Sequence, residues 1–385
     1  MSHSATVRSG PFPGVATFAG MQASGVCDYA DLTRSPDALQ GGGWWAVAGE
    51  FDGPVHAWRF ARVRARPRSQ SSQEAVVDVP PGTEPAEVTG DGGAYLWSGP
   101  HHSLWSTSMD RAAYVAAVRS TQDAIREGAV YQANMCRILS APLPSRPDAA
   151  TLAAVLSRGN PAPYAGYLDV PAGPAWPSAW VVSASPELSF AVENGVIRSG
   201  PIKGTGRTPS DLQAKDRAEN VMITDLVRND LQRICSPGTV TVTDLLATET
   251  HPGLVHLVSR IRGSLAREPV AWSEVLGALH PPGSTSGAPK SSALRLIGEL
   301  ETAHRGVYCG QFGWIDADAG TAEVAVAIRT FTWAEGLLSF GTGAGITIGS
   351  DAEREWAETE LKAARLVGLA SGGPAHVDEP PEIGC

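Results

Sequence analysis

The residues of this chain that could do chemistry crowd into one stretch, 201–230, which holds a lysine, a glycine turn and several acids. Gly200 and Gly204 flank Pro-Ile-Lys, so the backbone can bend sharply there and present Lys203 from the end of a strand. A strand end of this kind is a place where side chains meet ligands. Downstream, Asp216 and Glu219 stand at i and i+3 on one face of a predicted helix, while Ala218, Val221, Met222 and Leu226 form an apolar stripe on another. The acids are therefore expected to point away from the core. Ser210 with Gln213 has the S-x-x-Q form of a capping box that would open this helix. Two acids on one helix ordinarily mark a solvated face, but here the pattern recurs. Residues 350–353, Ser-Asp-Ala-Glu, read as a second capping box, and the helix after it carries Glu355, Glu358 and Lys362 at i, i+3 and i+7. Hard oxygen donors from two helices, completed by water and a substrate carboxylate, suit Mg2+, which seldom takes an all-protein cage.

Composition bounds the scaffold that must position these groups. The chain has 385 residues, 43% apolar and 18% charged, enough for one large domain or two ordinary ones. A net charge of -10 argues against a nucleic-acid surface, which needs clustered Lys and Arg. There is no apolar run of about 20 residues and no apolar segment in the opening MSHSATVRSGPFPG. Neither a membrane span nor a secretory signal is expected, and a cytoplasmic location is. Cysteines at 27, 136, 235, 309 and 385 are scattered, without metal-ligand spacing, and read as free thiols.

Taken in order, residues 1 to about 110 are rich in Gly, Pro and Ser and read as short strands, at 15–18, 43–48 and 55–63, joined by loops. Four arginines between 62 and 68 read as a solvated loop, and turns are expected at 69–72 and 80–82. Asp110 is a plausible cap for a helix running to Glu127, stopped by Gly128. A strand at 129–134 follows, carrying Gln132. A β-rich run at 181–190 is broken by Pro186, hence an edge or a bulge, and holds Glu187. His256 lies in a strand before Arg260, and a turn at 284–290 opens a helix to Leu300 whose amides favour an anion. Strands are expected at 308–315, beginning with Tyr308, and at 324–331, carrying Arg329. The glycine-rich turn 341–345 could offer backbone amides, including those of Gly343 and Gly345. After Ala370 a disordered tail is expected at 371–385.

Five segments stand in a telling order: Pro-Ile-Lys-Gly-Thr at 201–205, Ala-Glu-Asn-Val-Met-Ile-Thr-Asp-Leu-Val-Arg-Asn-Asp at 218–230, Gly-Ser-Thr-Ser-Gly-Ala-Pro-Lys at 283–290, Ala-Ile-Arg-Thr at 327–330 and Glu-Thr at 358–359. Together they resemble the signatures of the chorismate-utilising enzymes, among them the anthranilate, aminodeoxychorismate, isochorismate and salicylate synthases. The resemblance implies an α+β fold of large antiparallel β-sheets packed together with helices outside. It divides the chain into an N-terminal strand-rich segment (1–110) integrated with the core, a chorismate-binding catalytic domain (111–370) and the tail. The leucine-glutamate-serine signature that some members carry for a tryptophan pocket is not visible.

The same resemblance assigns roles. Members that add water to chorismate carry a lysine where this chain has Gln132, and an amide is no general base near neutral pH; ammonia is therefore the implied nucleophile. Glu187 would protonate the departing C4 hydroxyl, which requires a carboxyl kept protonated by its surroundings. Lysine rather than alanine at position 203 marks the members that aminate C4, through a covalent bond from the amine to C2. Tyr308 and Arg329 would hold the enolpyruvyl carboxylate, Arg329 bidentately. The ring carboxylate would face Lys362 and Mg2+ held by Glu219 and Glu358 with Asp216 and Glu355, His256 would sit near the ring substituents, and Ser286 would supply a hydroxyl. Pro282 stands where the usual motif has glycine, and Ser286 where it has threonine. The implied product is 4-amino-4-deoxychorismate, a precursor of p-aminobenzoate for folate or a secondary metabolite. The alternative is ortho amination, by an anthranilate synthase component I or a 2-amino-2-deoxyisochorismate synthase. No cysteine lies in a nucleophile-elbow context, so ammonia is expected from solution or from a separate glutamine amidotransferase subunit.

Overall fold

The computed structural model describes residues 11–18, 20–65, 97–206, 208–212, 214–251 and 254–371. The chain opens with four strands, β1 (Phe12–Phe18), β2 (Met21–Asp31), β3 (Trp44–Gly49) and β4 (Val55–Ala65). The short β5 (Ser106–Thr107) precedes helix α1 (Arg111–Arg126), β6 (Gln132–Pro142), α2 (Ala149–Gly159), β7 (Tyr164–Val170), β8 (Ala179–Ser185), β9 (Leu188–Glu193), β10 (Val196–Gly200) and β11 (Ile202–Gly206). Then come α3 (Ala214–Gln232), β12 (Thr241–His251), β13 (Leu254–Ser264), α4 (Trp272–Leu279), the single turn α5 (Gly283–Ser286), β14 (Gly287–Ala288) and α6 (Lys290–Leu300). The last elements are β15 (Gln311–Asp316), β16 (Thr321–Val326), β17 (Thr330–Ala334), β18 (Leu337–Ile346) and α7 (Ala352–Ala370).

Every described ladder is antiparallel, and the pairings trace one strip of strands doubled back on itself. One arm runs β4–β2–β1–β7–β8–β17–β18–β6. The other runs β4–β3–β15–β16–β9–β10–β13–β12. Strand β4 belongs to both and is the fold line. Between the arms lies a core of Phe18, Trp44, Ala46, Phe60, Leu168, Val181 and Phe312. Behind the second arm, Trp45, Val47, Phe190 and Val324 pack on Ile223, Val227 and Leu231 of α3 and on α4. Behind the first, Trp180, Val182, Phe331 and Phe340 pack on α2 and α7. The antiparallel sheets with helices outside are thus as expected. Strand β3, Trp-Trp-Ala-Val-Ala-Gly, is continuously apolar rather than alternating because both its faces are covered.

Several local expectations change. Arg62 and Arg64 extend β4, opposite Ser24 and Gln22, instead of lying in a loop. The deepest face of α3 is Asn220, Ile223, Thr224, Val227 and Leu231; of the expected stripe, Met222 and Leu226 pack half-buried beside it, while Ala218 and Val221 are exposed. The register is set by two polar residues: Asn220 Nδ2 donates to Leu257 O at 2.9 Å, and Asn220 Oδ1 accepts from Ser259 Oγ, so that face must meet β13. Ser210 lies within a short 3-10 turn in which Asp211 Oδ2 accepts from Thr208 N at 2.8 Å; Gln213 lies outside the described residues, as do the expected turns at 69–72 and 80–82 and nearly all of the tail. At α7 the cap is Asp351, which accepts from the Glu353 and Arg354 amides, rather than Ser350. Asp110 caps α1 as expected, accepting from Ala113 N at 2.8 Å, and Gly128 follows at φ 78°.

Residues 341–345 form the interior of β18, not a turn: Gly341, Gly343 and Gly345 pair with Ile138, Cys136 and Asn134 of β6. Their glycines answer to side chains laid across the strand. A Cβ at Gly341 would come within 2.1 Å of the Tyr308 ring, one at Gly343 within 2.4 Å of Cys136 Sγ, and one at Gly345 within 2.4 Å of Gln132 Nε2. Gly341→Ala is therefore expected to destabilise the protein by about 1–3 kcal/mol through overpacking, lowering its thermal midpoint. Gly298→Ala, on an exposed position of α6 with nothing within 4 Å, serves as the control and should leave the midpoint unchanged or raise it.

Candidate active site

The two arms exchange strands at one place. The chain leaves the first arm at Ser185, the end of β8, and enters the second at Leu188, the start of β9, so Pro186 and Glu187 lie in the crossing. It returns between β16 and β17, where residues 327–329 make the opposite crossing. The expected strand at 324–331 is for this reason two strands with Arg329 at the break, in the left-handed region at φ 53°. Backbone bonds lace the crossings together: Val326 N donates to Glu187 O at 3.0 Å and Ala184 N to Arg329 O at 3.0 Å. Ser185 Oγ donates to Val326 O at 2.6 Å and accepts from Glu187 N at 3.2 Å. Glu187 and Arg329 thus come from remote sequence to adjoining positions.

Glu187 is 4% exposed. Burial pushes its carboxyl above the ordinary range despite a hydrogen bond from the Ser284 hydroxyl, the positive charges of Lys203 and Arg329, and the Ile202 N–H. The group is therefore biased toward its neutral, proton-donating form. Ser284 was not singled out from the sequence, although it lies in the 283–290 segment. It is positioned by Asn134 Nδ2, which donates to Ser284 O at 2.8 Å, and by Arg305, which donates to the carbonyls of Thr285 and Asn134. Ser286, the residue anticipated, turns its hydroxyl back toward Pro282 O and Gly283 O. A cavity of about 20 Å3, bounded by Glu187, Ser189, Ser199, Asp230 and Ser284, adjoins the carboxyl.

Lys203 reaches the site through a bulge. The β11–β13 register passes from Ile202 opposite Val258 to Thr205 opposite His256, three steps along β11 against two along β13, with the extra residue at Lys203-Gly204. Such a bulge re-aims one side chain. Gly204 takes φ 84°, and a Cβ there would stand 2.7 Å from Asp216 Cβ, so the position needs glycine on both counts. The positive charge of Lys203 favours the ionised forms of Glu187, Glu219 and Glu358, which places it between the crossing and the two acid-bearing helices. His256 is buried on the neighbouring strand.

Glu219 of α3 and Glu355 of α7 are enclosed between the two helices, while Glu358 lies half-exposed at the edge of the group. Lys215 Nζ lies 2.7 Å from Glu355 Oε1, 3.8 Å from Glu219 Oε1 and 3.2 Å from Ser350 Oγ. Glu219 has its carboxyl raised by burial, with Glu355 and Asp216 adding repulsion against the attraction of Lys203 and Lys215. For Glu358 burial is outweighed by Lys362, Lys215 and Lys203, and its carboxyl lies below the ordinary range. Lys362 Nζ is 2.7 Å from Glu358 Oε1 and donates to Gly343 O at 3.0 Å, so Gly343 contributes its carbonyl rather than its amide. Asp216 packs against the Gly204 turn at the margin of the group. The donors are hard oxygens of the kind Mg2+ takes, with the Lys215 ammonium among them; in this arrangement no three acidic or imidazole groups among the described residues converge on one ion.

Two anticipated residues take other surroundings. Tyr308 is buried in the cluster with Cys136, Cys309 and Ala344, its ring on Gly341. Gln132 is fully buried at the start of β6, and neither its amide nitrogen nor its amide oxygen has a hydrogen-bond partner, an arrangement costly unless a ligand satisfies it. Thr359 ties α7 to the sheet: its hydroxyl accepts from Arg137 Nε at 3.0 Å and its carbonyl from Thr342 Oγ1 at 2.9 Å. A separate cavity of about 510 Å3, lined by Phe51, His280, Leu294, Glu301 and His304, contains none of these residues.

This fold and these motifs define a protein class. The chain belongs to the chorismate binding enzymes, whose family model matches residues 93–368. It is 37% identical over 275 residues to anthranilate synthase component 1 of Streptomyces coelicolor, covering 68% of this chain and 52% of that protein. It is 35% identical over 277 residues to aminodeoxychorismate synthase component 1 of Salmonella typhimurium, covering 69% and 59%. The aligned region thus spans little more than half the length of these relatives. Among solved structures, anthranilate synthase component I from Streptococcus pneumoniae superposes with a TM-score of 0.68 over 95% of each chain at 23% identity. The menaquinone-specific isochorismate synthase of Escherichia coli does so with 0.70 over 94% of this chain and 89% of that one, at 18% identity. These two likenesses establish the shared fold. Among the described residues no helix is long and apolar enough to cross a membrane.

The raised carboxyl of Glu187 makes a stability prediction. The folded state binds this proton more tightly than the unfolded state, whose ordinary value is 4.5. The stabilisation is fully present below that pH and is lost as pH rises through the folded-state value. Glu187→Gln does not titrate, so the thermal midpoint of the unmutated protein should fall relative to that of the variant across this window. A constant difference between the two from pH 4 to 8 would show that Glu187 is not held protonated.

Proposed function

We propose that the protein aminates chorismate at C4 with ammonia, giving 4-amino-4-deoxychorismate through a covalent intermediate on Lys203. The observation that supports this most is the meeting of a buried, proton-biased carboxyl, Glu187, with an amine aimed from the Lys203 bulge. In the proposed sequence the Lys203 nitrogen, as the neutral amine, forms a bond to C2 of chorismate, both conjugated ring double bonds shift round the ring toward C4, and the C4 hydroxyl leaves as water with the proton of Glu187. Ammonia then bonds to C4, the C2–lysine bond breaks as the double bonds return, and the amine is restored. Arg329, beside Glu187, is suited to a substrate carboxylate. The orphaned amide of Gln132 offers a donor and an acceptor to a bound polar group, and it supplies no base that would activate water.

Mg2+ is proposed as the cofactor. Glu219, Glu355 and Glu358 would hold it, Asp216 lies at the margin of the group, and the ion would neutralise a substrate carboxylate beside Lys362. Ammonia is proposed to come from a separate glutamine amidotransferase subunit in the cytoplasm. Ortho amination is the competing reading, since relatives named anthranilate synthase align at similar identity.

The test is incubation of the purified chain with chorismate, Mg2+ and ammonium, followed by aminodeoxychorismate lyase and identification of aromatic products by mass and fluorescence. p-Aminobenzoate is expected, abolished by Lys203→Ala and reduced roughly 10²–10⁴-fold by Glu187→Gln, the usual range for a lost general acid. Anthranilate from the unmutated chain would overturn the para assignment. Ammonium but not glutamine should serve as nitrogen source for the chain alone; use of glutamine would remove the need for a partner.

A further inference from the structure

Lys215 has no part in the proposed chemistry, yet it occupies the centre of the acid group. It springs from the first turn of α3, and its ammonium contacts Glu355 of α7 at 2.7 Å, with Ser350 Oγ at 3.2 Å and Glu219, one turn along its own helix, at 3.8 Å. Glu355 is almost fully buried, its side chain 5% exposed, and an unpaired carboxylate there would carry a large desolvation cost. The lysine side chain keeps 36% of its surface exposed, so its stem has an open path to solvent. The charges facing it are Glu219 on its own helix and Glu355 and Glu358 on α7, all of which favour its charged form. With Lys215 in place, the carboxylates spread around an ammonium and no three acids among the described residues close on one ion.

We infer that Lys215 is a tethered counter-cation: it fills the Glu219–Glu355 position when no divalent ion is bound and must be displaced toward solvent for one to enter. The inference rests on the Mg2+ reading above and adds to it that the chain sets its own metal affinity by internal competition. The Lys215 ammonium stands between Glu219 and Glu355, in the space a divalent ion held by both would need, and the two cations repel, so they compete for that position. The lysine also keeps α3 and α7 together without metal, leaving the acids preassembled rather than splayed by repulsion.

Two measurements on the full chain test this. Mg2+ titrated into the unmutated protein, Lys215→Met and Lys215→Arg is followed by calorimetry and by thermal midpoint. Lys215→Met should melt lower without metal, bind Mg2+ about tenfold or more tightly, as expected when a competing charge is removed, and gain more midpoint at saturation. Lys215→Arg should bind no tighter than the unmutated protein. Mg2+ binding to the unmutated chain with unchanged or weaker binding to Lys215→Met would overturn the inference while leaving the metal reading intact. No Mg2+ binding to any form would overturn both. Independently of any variant, acylation of surface amines with an N-hydroxysuccinimide ester, read residue by residue by mass spectrometry, should show Lys215 protected without metal and labelled with saturating Mg2+. Labelling of Lys215 that does not change with metal would likewise overturn the displacement.

Discussion

The structure turns on the burial of one carboxyl, Glu187, at the point where two sheets exchange strands. An ionised carboxylate in such a place is costly to desolvate, so it must be neutral or closely partnered. Here it has both: burial biases it toward the proton, while the Ser284 hydroxyl, the Ile202 amide and the charges of Lys203 and Arg329 temper that bias. The partners come from three parts of the chain, 202–203, 284 and 329, and Arg329 reaches Glu187 because the crossings at 186–187 and 327–329 lie side by side. Moving either crossing by one residue would reverse which side chains face the site, since strand side chains alternate.

Three backbone irregularities serve this point. The β11 bulge aims Lys203, the positive φ of Arg329 turns the chain between sheets, and Gly204 lets α3 approach the bulge. Glycines 341, 343 and 345 do the opposite work, keeping β18 regular while Tyr308, Cys136 and Gln132 lie across it. At these positions strain and close approach deliver a side chain to the site or keep one clear of it.

Charge is arranged with the same economy. Acids on α3 and α7 face one another with three lysines, 203, 215 and 362, from a strand and the two helices. Opposed charges on facing helices let polar groups be drawn out of water without leaving any isolated. The scaffold is common to enzymes with different names, and relatives called anthranilate synthase and aminodeoxychorismate synthase align equally well. The sheet therefore does not distinguish these names.

Much of this was legible in the linear chain. The order of the five motifs determined the family, and caps such as Asp110, turn residues such as Gly128 and the lysine between Gly200 and Gly204 are local features whose physics is carried by neighbouring residues. Lys203, Glu219, Glu355 and Glu358 could be named because carboxylates and amines are conspicuous beside glycine and helix-period spacing, and Glu187 through the family resemblance. The tertiary structure alone decided what those groups face. That Glu219 is enclosed rather than solvated, that Ser284 and not Ser286 reaches Glu187, that residues 341–345 are a strand, and that Lys215 stands among the acids all depend on elements remote in sequence meeting in the doubled sheet and the helices on it. Periodicity shows which residues share a face; it cannot show which other element will cover that face, because that choice is made by packing the whole chain at once.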